Sequence, residues 1–352
     1  MKKLTLEEIG KLAGVSRATV SRVVNGYRHI RPEVRERVEK VIAETGYQPN
    51  LIARSLASDR TNIIGLVIPN QATAVFTDPY FPRLIQGITQ AASQNNLTLA
   101  LFLFHSPEEE DITIDSIVNT SLVDGIIITA DRKVDPIAQV LLKRRMPFVQ
   151  LGRPEIRPKT IYFVDVDNVA GAFMATEHLI SLGYQRIAVV ASDQNTAGDD
   201  RLNGYYAALK DHQIPIDDRL VAFGDFTAMG AAQAMNQLLP FHPDAVFVSS
   251  DTMALGAVGA IRDAGLRVPD DVAVIGYDDL PPAVHNVPPL TTIRQPIYET
   301  GQLAVKMLMD VLDKKLTKPT HIILPNQLVI RHSCGAVQRG LLDNYVDENI
   351  VI

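Results

Sequence analysis

The chain has 352 residues, of which 46% are hydrophobic and one is cysteine. This length exceeds what a single hydrophobic core usually supports, so we expect two or three domains. The single cysteine excludes an internal disulfide, and the absence of a run of 18 or more apolar residues excludes a predicted membrane-spanning helix. Because the N-terminus also lacks the apolar segment of a signal peptide, we expect a cytoplasmic protein.

Charge is divided unevenly along the chain. Residues 1–60 contain 12 Lys and Arg against 7 Asp and Glu, a net charge of +5, whereas the remaining residues carry a net charge of −11. A basic head on an acidic body favours a polyanion as the partner of the head alone, because the body would repel it.

The basic head begins with a predicted helix, a glycine turn and a second helix. Thr5 and Glu8 have the spacing of a capping box at the start of the first helix. The apolar residues predicted on the inward face of that helix are Leu6, Ile9, Leu12 and Ala13. Gly14 ends the helix, and Ser16 is placed to cap a second helix that extends over residues 17–25.

The second helix has the side chains of a DNA recognition helix. Its outward row is short, polar and basic: Arg17, Ala18, Thr19, Ser21, Arg22 and Asn25. Small side chains let a helix enter the major groove, where an arginine can donate hydrogen bonds to both O6 and N7 of a guanine. The alternative is a solvated helix on a small bundle, but the cap, the glycine turn and the basic second helix together favour a helix-turn-helix.

A third helix is predicted over residues 32–45, and a short segment at residues 49–57 follows it. That segment is too short to hold a helix alone in water, so we expect it to fold only on DNA. Ala53 would let two copies of the segment approach each other. Leu56 is an apolar wedge of the kind that opens a base step from the minor groove.

Three motifs in this region resemble the DNA-binding headpiece and hinge of the LacI/GalR family of bacterial transcription regulators. The motifs are Val15-Ser16 with residues 19–26, Gly46-Tyr47, and Pro49-Asn50 followed by residues 53–56. The resemblance implies an all-α helix-turn-helix headpiece with a hinge helix, followed by an α/β periplasmic-binding-protein-like core of two doubly wound parallel-sheet subdomains. It also implies that Leu56 enters the minor groove and that a homodimer binds double-stranded DNA at an inverted-repeat operator.

The residues expected to contact DNA have two main roles. The expected base readers are Arg17, Ala18 and Arg22. The residues expected mainly to place phosphates are Thr5, Ser16, Thr19, Ser21, Asn25, His29 and Asn50. The rest of the predicted DNA-binding set is Leu6, Tyr47, Ala53 and Leu56.

After residue 61, short apolar runs alternate with longer amphipathic stretches, which predicts parallel sheets covered by helices. The first set of runs comprises residues 63–68, 98–104, 125–129 and 147–151. The second set comprises residues 186–191, 220–223, 245–249 and 272–276. Each run of the second set starts 120 to 125 residues after its counterpart, so two similar halves are predicted.

The expected domain boundaries follow from this pattern and from the resemblance. The headpiece is assigned to residues 1–48, and the hinge with its linker to residues 49–61. The N-terminal core subdomain is assigned to residues 62–163 and 291–324, and the C-terminal core subdomain to residues 164–290 and 325–340. Residues 291–294 and 322–330 are predicted strands. The tail, residues 341–352, lacks the heptads of a tetramerising coiled coil.

Ligands of doubly wound sheets bind beyond the carboxyl ends of the strands, and two facing sheets form a cleft there. The candidate effector residues near those ends are Tyr80, Phe81, Ser192, Arg201, Phe226, Asp251, Asp278 and Gln295. Arg201 and Asp278 would supply a donor fork and a carboxylate for the vicinal hydroxyls of a sugar. The resemblance implies that these two residues and Phe226 bind the effector. The alternative for each candidate is a surface ion pair or a strand-end cap.

The predicted function is a sequence-specific transcription regulator, most often a repressor in this family, controlled by a sugar or sugar derivative. A sugar-binding or sugar-processing protein is the alternative class. The enzyme alternative lacks a Gly-x-Ser-x-Gly elbow, a Walker A loop and a Gly-x-Gly-x-x-Gly turn, and the eight histidines are too scattered to predict a metal site. No cofactor is expected. The segment of residues 70–78 looks several residues longer than is usual for the family, so the identity of the effector cannot be carried over from a relative. Neither the cleft residues nor the headpiece predicts whether the effector releases DNA or tightens its binding.

Overall fold

The computed structural model describes residues 4–24, 27, 29–47, 60–120, 122–130, 132–133, 136–339 and 350–351. The chain divides into two compact units, residues 1–63 and 64–352. Across the described residues, no helix combines the length and apolar character needed to cross a membrane.

The N-terminal unit contains three helices: α1 (Leu6–Ala13), α2 (Arg17–Val24) and α3 (Pro32–Thr45). The predicted capping box is confirmed, since the Thr5 hydroxyl accepts from the Glu8 amide at 3.3 Å and the Glu8 carboxylate accepts from the Thr5 amide at 2.8 Å. Gly14 ends α1 in the left-handed conformation, with φ at 65°. The buried core of the unit is formed by Ile9, Ala13, Val20, Val23 and Val38.

One residue of the predicted inward face of α1 points outward. Leu12 is 60% exposed, whereas Ile9, Gly10 and Ala13 are buried. With 3.6 residues per turn, position 12 lies roughly 100° around the helix from the middle of the buried stripe. The prediction for Leu12 was therefore wrong.

The C-terminal unit is built from strands that alternate with helices. The strands are β1 (Ile63–Gln71), β2 (Thr98–Phe104), β3 (Gly125–Thr129), β4 (Phe148–Leu151), β5 (Phe163–Val166), β6 (Ile187–Ala191), β7 (Val221–Phe223), β8 (Ala245–Val248), β9 (Ala273–Asp278), β10 (Thr291–Arg294), β11 (His321–Leu324), β12 (Gln327–Ile330) and β13 (Ile350–Val351). The helices are α4 (Ala72–Thr77), α5 (Tyr80–Gln94), α6 (Pro107–Thr120), α7 (Pro136–Arg144), α8 (Asn168–Ser181), α9 (Thr196–Asp211), α10 (Ala228–Leu238), α11 (Asp251–Asp263), α12 (Pro281–His285) and α13 (Ile297–Leu312).

These strands form two sheets that share the same order of their first five strands. The first sheet has the order β11-β5-β4-β3-β1-β2, and the second has the order β13-β12-β10-β9-β8-β6-β7. Within each sheet the first five strands along the chain are arranged 2-1-3-4-5. Parallel pairing joins β1, β3, β4 and β5 in the first sheet and β6 to β10 in the second. The predicted fold class, a helical headpiece followed by two doubly wound parallel-sheet subdomains, is confirmed. The predicted hinge helix lies outside the described residues.

The domain boundaries predicted from the sequence imply three crossovers between the subdomains, at residues 163–164, 290–291 and 324–325. The first two are displaced in the structure. β5 pairs with β4 and β11, so residues 164–166 belong to the first sheet and not to the C-terminal subdomain. β10, assigned to the N-terminal subdomain, pairs in parallel with β9 of the second sheet. The physical reason is the same in both halves. Each half completes its fifth strand before the chain crosses to the other half.

The predicted strand over residues 322–330 is two strands in the structure. β11 lies parallel to β5 in the first sheet, and β12 lies antiparallel to β10 in the second. The last crossover therefore passes through the two residues between β11 and β12, where it was predicted. Of the predicted tail, only Ile350 and Val351 are described, and they pair with β12.

Candidate functional site

Two exposed arginines lie on α2 of the N-terminal unit. Arg17 and Arg22 are exposed together with Ala18, while Val20 and Val23 hold the opposite face of the helix in the core. The three predicted base readers are thus the exposed residues of α2. A helix with such a surface can enter a major groove.

The other predicted DNA contacts differ in exposure. The exposed ones are Thr5, Ser16 and His29, and the half-buried ones are Leu6, Thr19, Ser21 and Tyr47. The Ser16 hydroxyl accepts from the Thr19 amide at 3.2 Å, so the predicted cap of α2 is confirmed. Asn25, Asn50, Ala53 and Leu56 lie outside the described residues. DNA contact by each of these residues stays a prediction.

A cavity of about 680 Å³ lies between the two sheets of the C-terminal unit. Residues at the carboxyl ends of strands form much of its wall, which is where the topology predicts a ligand. From the first sheet these residues include Thr129, Gly152, Asp165 and Val166, and from the second they include Asp225, Phe226, Ser250 and Asp278. A cavity of this volume is within the range of small-molecule sites.

Arg201 on α9 is the cationic side chain of the described cavity wall, and it is only 5% exposed. Its Nε donates to Asn168 Oδ1 at 2.9 Å, and its Nη1 donates to the carbonyl of Ser249. The guanidinium lies 3.8 Å from the centroid of the Tyr277 ring, and Nη1 is 3.7 Å from Asp278 Oδ1. These contacts fix the plane of the guanidinium at the cavity, which prepares it to donate to a ligand.

The position of Arg201 depends on how closely α9 packs. Asn195 caps α9 by accepting from the Gly198 amide at 2.9 Å. A Cβ at Gly204 would lie 2.3 Å from the carbonyl oxygen of Val169, so only glycine allows α9 to lie this close to α8. The close approach brings Arg201 within reach of Asn168 at the start of α8.

Asp278 ends β9 in a sparsely populated backbone conformation, with φ at 119°. It is buried, and its Oδ1 accepts from the Gln295 side-chain amide. Burial raises the pKa of Asp278 to about 7, against the opposing charge of Arg201. A carboxyl group that is partly protonated near neutral pH can both accept from and donate to a hydroxyl group.

The turn that carries Asp278 is held by its neighbour. Asp279, also at positive φ, accepts from Arg294 Nε and from Arg331 Nη2, each at 2.6 Å. Arg331 donates in addition to the carbonyl of Leu290 at 2.9 Å. Backbone strain of this kind persists only where surrounding contacts determine it.

Aromatic side chains line two other parts of the cavity. Phe226, at φ 63°, follows β7, and the rings of Tyr80 and Phe81 meet edge to face with centroids 5.4 Å apart. Phe81 is 6% exposed, whereas Tyr80 and Phe226 are half-buried. Half-buried rings offer an apolar face to a sugar ring, whose axial C–H groups are apolar as well.

Six of the eight predicted effector residues line the cavity: Tyr80, Phe81, Arg201, Phe226, Asp278 and Gln295. Ser192 and Asp251 are not in its wall and are fully buried behind it. Asp251 accepts from the Leu280 amide at 2.9 Å and from the Thr292 hydroxyl at 2.6 Å. Ligand contact by the six stays a prediction, and the geometry gives Asp251 a supporting position.

Two polar residues of the wall, Asp165 and Asn168, are absent from the predicted set. They flank the end of β5, a strand of four residues that was not predicted from the sequence. The available signal was the short apolar run of residues 163–166, which Asp165 interrupts. Recognising this fifth strand of the first half would have placed both residues at a carboxyl end.

The cavity wall is acidic. Its charged side chains among the described residues are Asp78, Asp165, Asp225, Asp278 and Arg201. Burial raises the pKa values of Asp78, Asp165 and Asp278, which shows that the surroundings disfavour further negative charge there. The wall offers many hydroxyl-binding oxygens and one guanidinium, so it suits a neutral polyol better than a phosphate ester.

Two ion pairs connect the walls at the edge of the cavity. Arg153, which follows β4, binds Asp200 on α9 with Nε–Oδ2 at 3.0 Å and Nη2–Oδ1 at 2.8 Å. Lys133, which follows β3, binds Asp199 with Nζ–Oδ1 at 2.9 Å. Asp199 and Asp200 directly precede Arg201 on α9. The two ion pairs therefore bind the part of α9 that carries Arg201 to the N-terminal subdomain as well.

The pH dependence of stability offers a test of the burial of Asp165. Burial raises the pKa of this residue from 3.8 to about 6, although it accepts from the Val166 and Arg153 amides, each at 2.8 Å. Since the folded-state pKa is the higher one, the folded protein holds the proton more tightly, and the free energy of unfolding falls as pH rises through this window.

Asp165→Asn removes this titration. The free energy of unfolding of the variant relative to the wild type should therefore increase by about 1 kcal/mol between pH 5 and pH 8. Chemical denaturation at both pH values measures the difference, with the exposed Asp263→Asn as the matched control. A difference for Asp165→Asn that is the same at both pH values would contradict the effect of burial.

Metal ligands are not clustered in the described part of the chain, where no group of three or more His, Cys, Asp or Glu is placed to hold an ion.

Two family models match the chain. Residues 5–50 match the model described as bacterial regulatory proteins, lacI family, and residues 176–334 match the periplasmic binding protein-like domain. The HTH-type transcriptional regulator CelR of Thermobifida fusca is 38% identical over 333 residues, which cover 94% of this chain and 98% of that protein.

Solved structures agree with this match. The chain superposes on the transcriptional regulator CelR–cellobiose complex with a TM-score of 0.76 and 36% identity, covering 94% of this chain and 99% of that one. It superposes on the lac repressor dimer bound to operator and the anti-inducer ONPF with a TM-score of 0.82 and 30% identity, covering 95% and 99%.

Proposed function

This chain belongs to the LacI family of bacterial transcription regulators, and we propose that it is a sequence-specific DNA-binding repressor controlled by a neutral sugar. It acts as a homodimer in the cytoplasm, and its two headpieces bind an inverted-repeat operator. The relatives support this assignment, since they are regulators and one is the lac repressor bound to operator. The enzyme and sugar-carrier alternatives leave the helix-turn-helix unit without a role.

The observation that carries the proposal is the presence of two different binding surfaces on one chain. Arg17 and Arg22 stand on an exposed helix face in the N-terminal unit, and the C-terminal unit encloses a polar cavity around Arg201 and Asp278. The first surface fits a DNA groove and the second fits a small polyol. A protein with both surfaces is equipped to make DNA binding depend on a metabolite.

The chemistry of the cavity narrows the class of effector. Four aspartates and one arginine line it, so a phosphorylated or carboxylated sugar would add negative charge to an acidic wall. A neutral sugar instead satisfies the carboxylates with its hydroxyl groups and stacks on Phe226 or Tyr80. Cellobiose is the first sugar to test, because the CelR relative was solved in complex with it.

The effector contacts that we propose are Tyr80, Phe81, Asp165, Asn168, Arg201, Phe226, Asp278 and Gln295, all in the cavity wall. Asp251 and Ser192 support the wall from behind. On the DNA side, we propose that Arg17, Ala18 and Arg22 read bases and that Leu56 is the minor-groove wedge.

Selection from a pool of random DNA duplexes tests the DNA-binding function. Incubated at moderate salt, with and without neutral sugars, the full-length protein should enrich an inverted repeat because its two headpieces are related by a twofold axis. The enriched sequences, read after several rounds, are the measurement. Enrichment without any repeated half-site in both conditions would contradict the proposal.

A further inference from the structure

A second cavity, of about 670 Å³, lies in the N-terminal subdomain between α7 and the connection from β4 to β5. Its apolar lining includes Ala138, Leu142, Pro154 and Ile161. None of the proposed effector contacts lines this second cavity. It therefore needs an explanation of its own.

Gln150 of β4 lines this cavity and is 3% exposed. Its side-chain oxygen, Oε1, is buried and has no hydrogen-bond partner among the residues that the structure describes. A buried acceptor without a partner is rare, because the lost hydrogen bond to water is not replaced. An O–H or N–H group of a bound molecule would satisfy it.

Cations surround the opening of the same cavity. The charged residues that line it are Arg132, Lys133, Lys143, Arg157 and one carboxylate, Glu155. Arg132 is engaged with Glu110, and Lys133 is engaged with Asp199. Lys143 and Arg157 are exposed and form no ion pair with the described residues. They remain available to an anion.

The loop that carries Arg157 is ordered by its own hydrogen bonds. The Arg157 carbonyl accepts from the Thr160 amide and from the Thr160 hydroxyl, both at 2.9 Å. Arg157 therefore has a fixed backbone position beside the cavity. Because the backbone at Arg157 is already ordered, binding of an anion there requires ordering of the side chain alone.

We propose that this second cavity binds a small hydroxylated anion, a phosphate or carboxylate that also carries a hydroxyl group. Lys143 and Arg157 bind the anionic group, and Gln150 accepts from the hydroxyl. The apolar residues of α7 and of the β4–β5 connection pack against its carbon atoms. The site is separate from the sugar cleft and does not depend on the identity of the sugar or on DNA binding.

Calorimetric titration of the full-length protein at low ionic strength tests the proposal. The probes are glycerol 3-phosphate and glycerate, which separate the phosphate from the carboxylate form of the ligand, with glycerol as the neutral control. At least one of the two anions should bind saturably, and glycerol should not. The double variant Lys143→Gln/Arg157→Gln should weaken anion binding about tenfold or more, since two charge-assisted contacts are lost.

Two further variants keep the test specific. Lys159→Gln removes an exposed cation of the same connection that does not line the cavity, and it should leave the affinity within about twofold. Gln150→Met conserves volume while removing the acceptor, so it should weaken binding of the hydroxylated anion but not of inorganic phosphate. Circular dichroism confirms that each variant is folded.

Three results would overturn the proposal. The first is an absence of saturable binding by both anions at millimolar concentration. The second is undiminished binding in Lys143→Gln/Arg157→Gln, which would place the anion elsewhere. The third is unchanged binding of the hydroxylated anion in Gln150→Met.

Discussion

Replacing Arg201 by alanine is expected to abolish sugar binding in the cleft. The guanidinium is the one cation of the described cavity wall, and its orientation is fixed by Asn168, Ser249 and Tyr277. A sugar that accepts two hydrogen bonds from it would lose about 100-fold or more in affinity, since hydrogen bonds to charged groups contribute about 1.5 to 3 kcal/mol each. Titration calorimetry with cellobiose and other neutral disaccharides measures the loss.

The control for this variant is Arg262→Ala, which removes an exposed arginine from α11 of the same subdomain. Because Arg201 is buried, circular dichroism and thermal unfolding must show that Arg201→Ala is folded. Arg201→Lys keeps the charge but loses the fork and should fall between the wild type and the alanine variant. Normal sugar affinity in a folded Arg201→Ala protein would remove this residue from the site.

The same variant also reports how the sugar acts on DNA binding. If the sugar is an inducer, Arg201→Ala should bind the operator as tightly as the sugar-free wild type and should fail to release it. If the sugar is a corepressor, Arg201→Ala should lose the tight DNA binding that the sugar produces. Operator affinity with and without sugar distinguishes the two signs of control.

Arg17→Ala is expected to relax sequence preference on the DNA side. The arginine is exposed near the start of α2, where a recognition helix contacts base edges, and a bidentate contact to guanine contributes about 1 to 3 kcal/mol of discrimination. One or two base pairs of each half-site should lose their preference in a repeated selection experiment. The dimer carries the variant twice, so the loss at the full operator should be larger than at one half-site.

A charge-matched control separates base reading from general attraction to DNA. Arg37→Ala removes an exposed arginine from α3 of the same unit and lowers the net charge equally. It should weaken binding to all sequences by a similar factor and leave the preferred sequence unchanged. If Arg17→Ala behaves in the same uniform way, Arg17 is a phosphate contact instead of a base reader.

Local patterns in the sequence were sufficient to predict the headpiece. The capping box of Thr5 and Glu8 and the cap of α2 at Ser16 involve residues three positions apart, so short spacing determines them. Leu12 was misplaced because residues at the border of a short apolar stripe can face either way. Its exposure depends on where α2 and α3 pack, which the periodicity of α1 does not contain.

The general rule that ligands bind at the carboxyl ends of parallel strands located the cleft. It predicted that Arg201, Phe226 and Asp278 lie at the cleft, and all three line the cavity in the structure. The rule cannot tell which of two neighbouring polar side chains faces the ligand. Ser250 lines the cavity while Asp251, the next residue, turns inward to the Leu280 amide and the Thr292 hydroxyl.

The fifth strand of each half accounts for the remaining errors. β5 and β10 have four residues each, and residues 164–166 of β5 and all of β10 were placed on the wrong side of a crossover. Short strands carry little periodic signal, and their sheet membership is set by pairing with residues distant in sequence. Asp165 and Asn168 were missed for this reason.

Operator affinity measured as a function of sugar concentration tests the central claim most directly. The wild-type protein is bound to the inverted repeat obtained by selection, and cellobiose or another neutral disaccharide is titrated at constant salt. A sugar that binds the cleft should change operator affinity by about 5-fold to 150-fold, the range that typical allosteric coupling supplies, and Arg201→Ala should not respond. Saturation of the cleft by a sugar with no change in operator affinity would contradict the account.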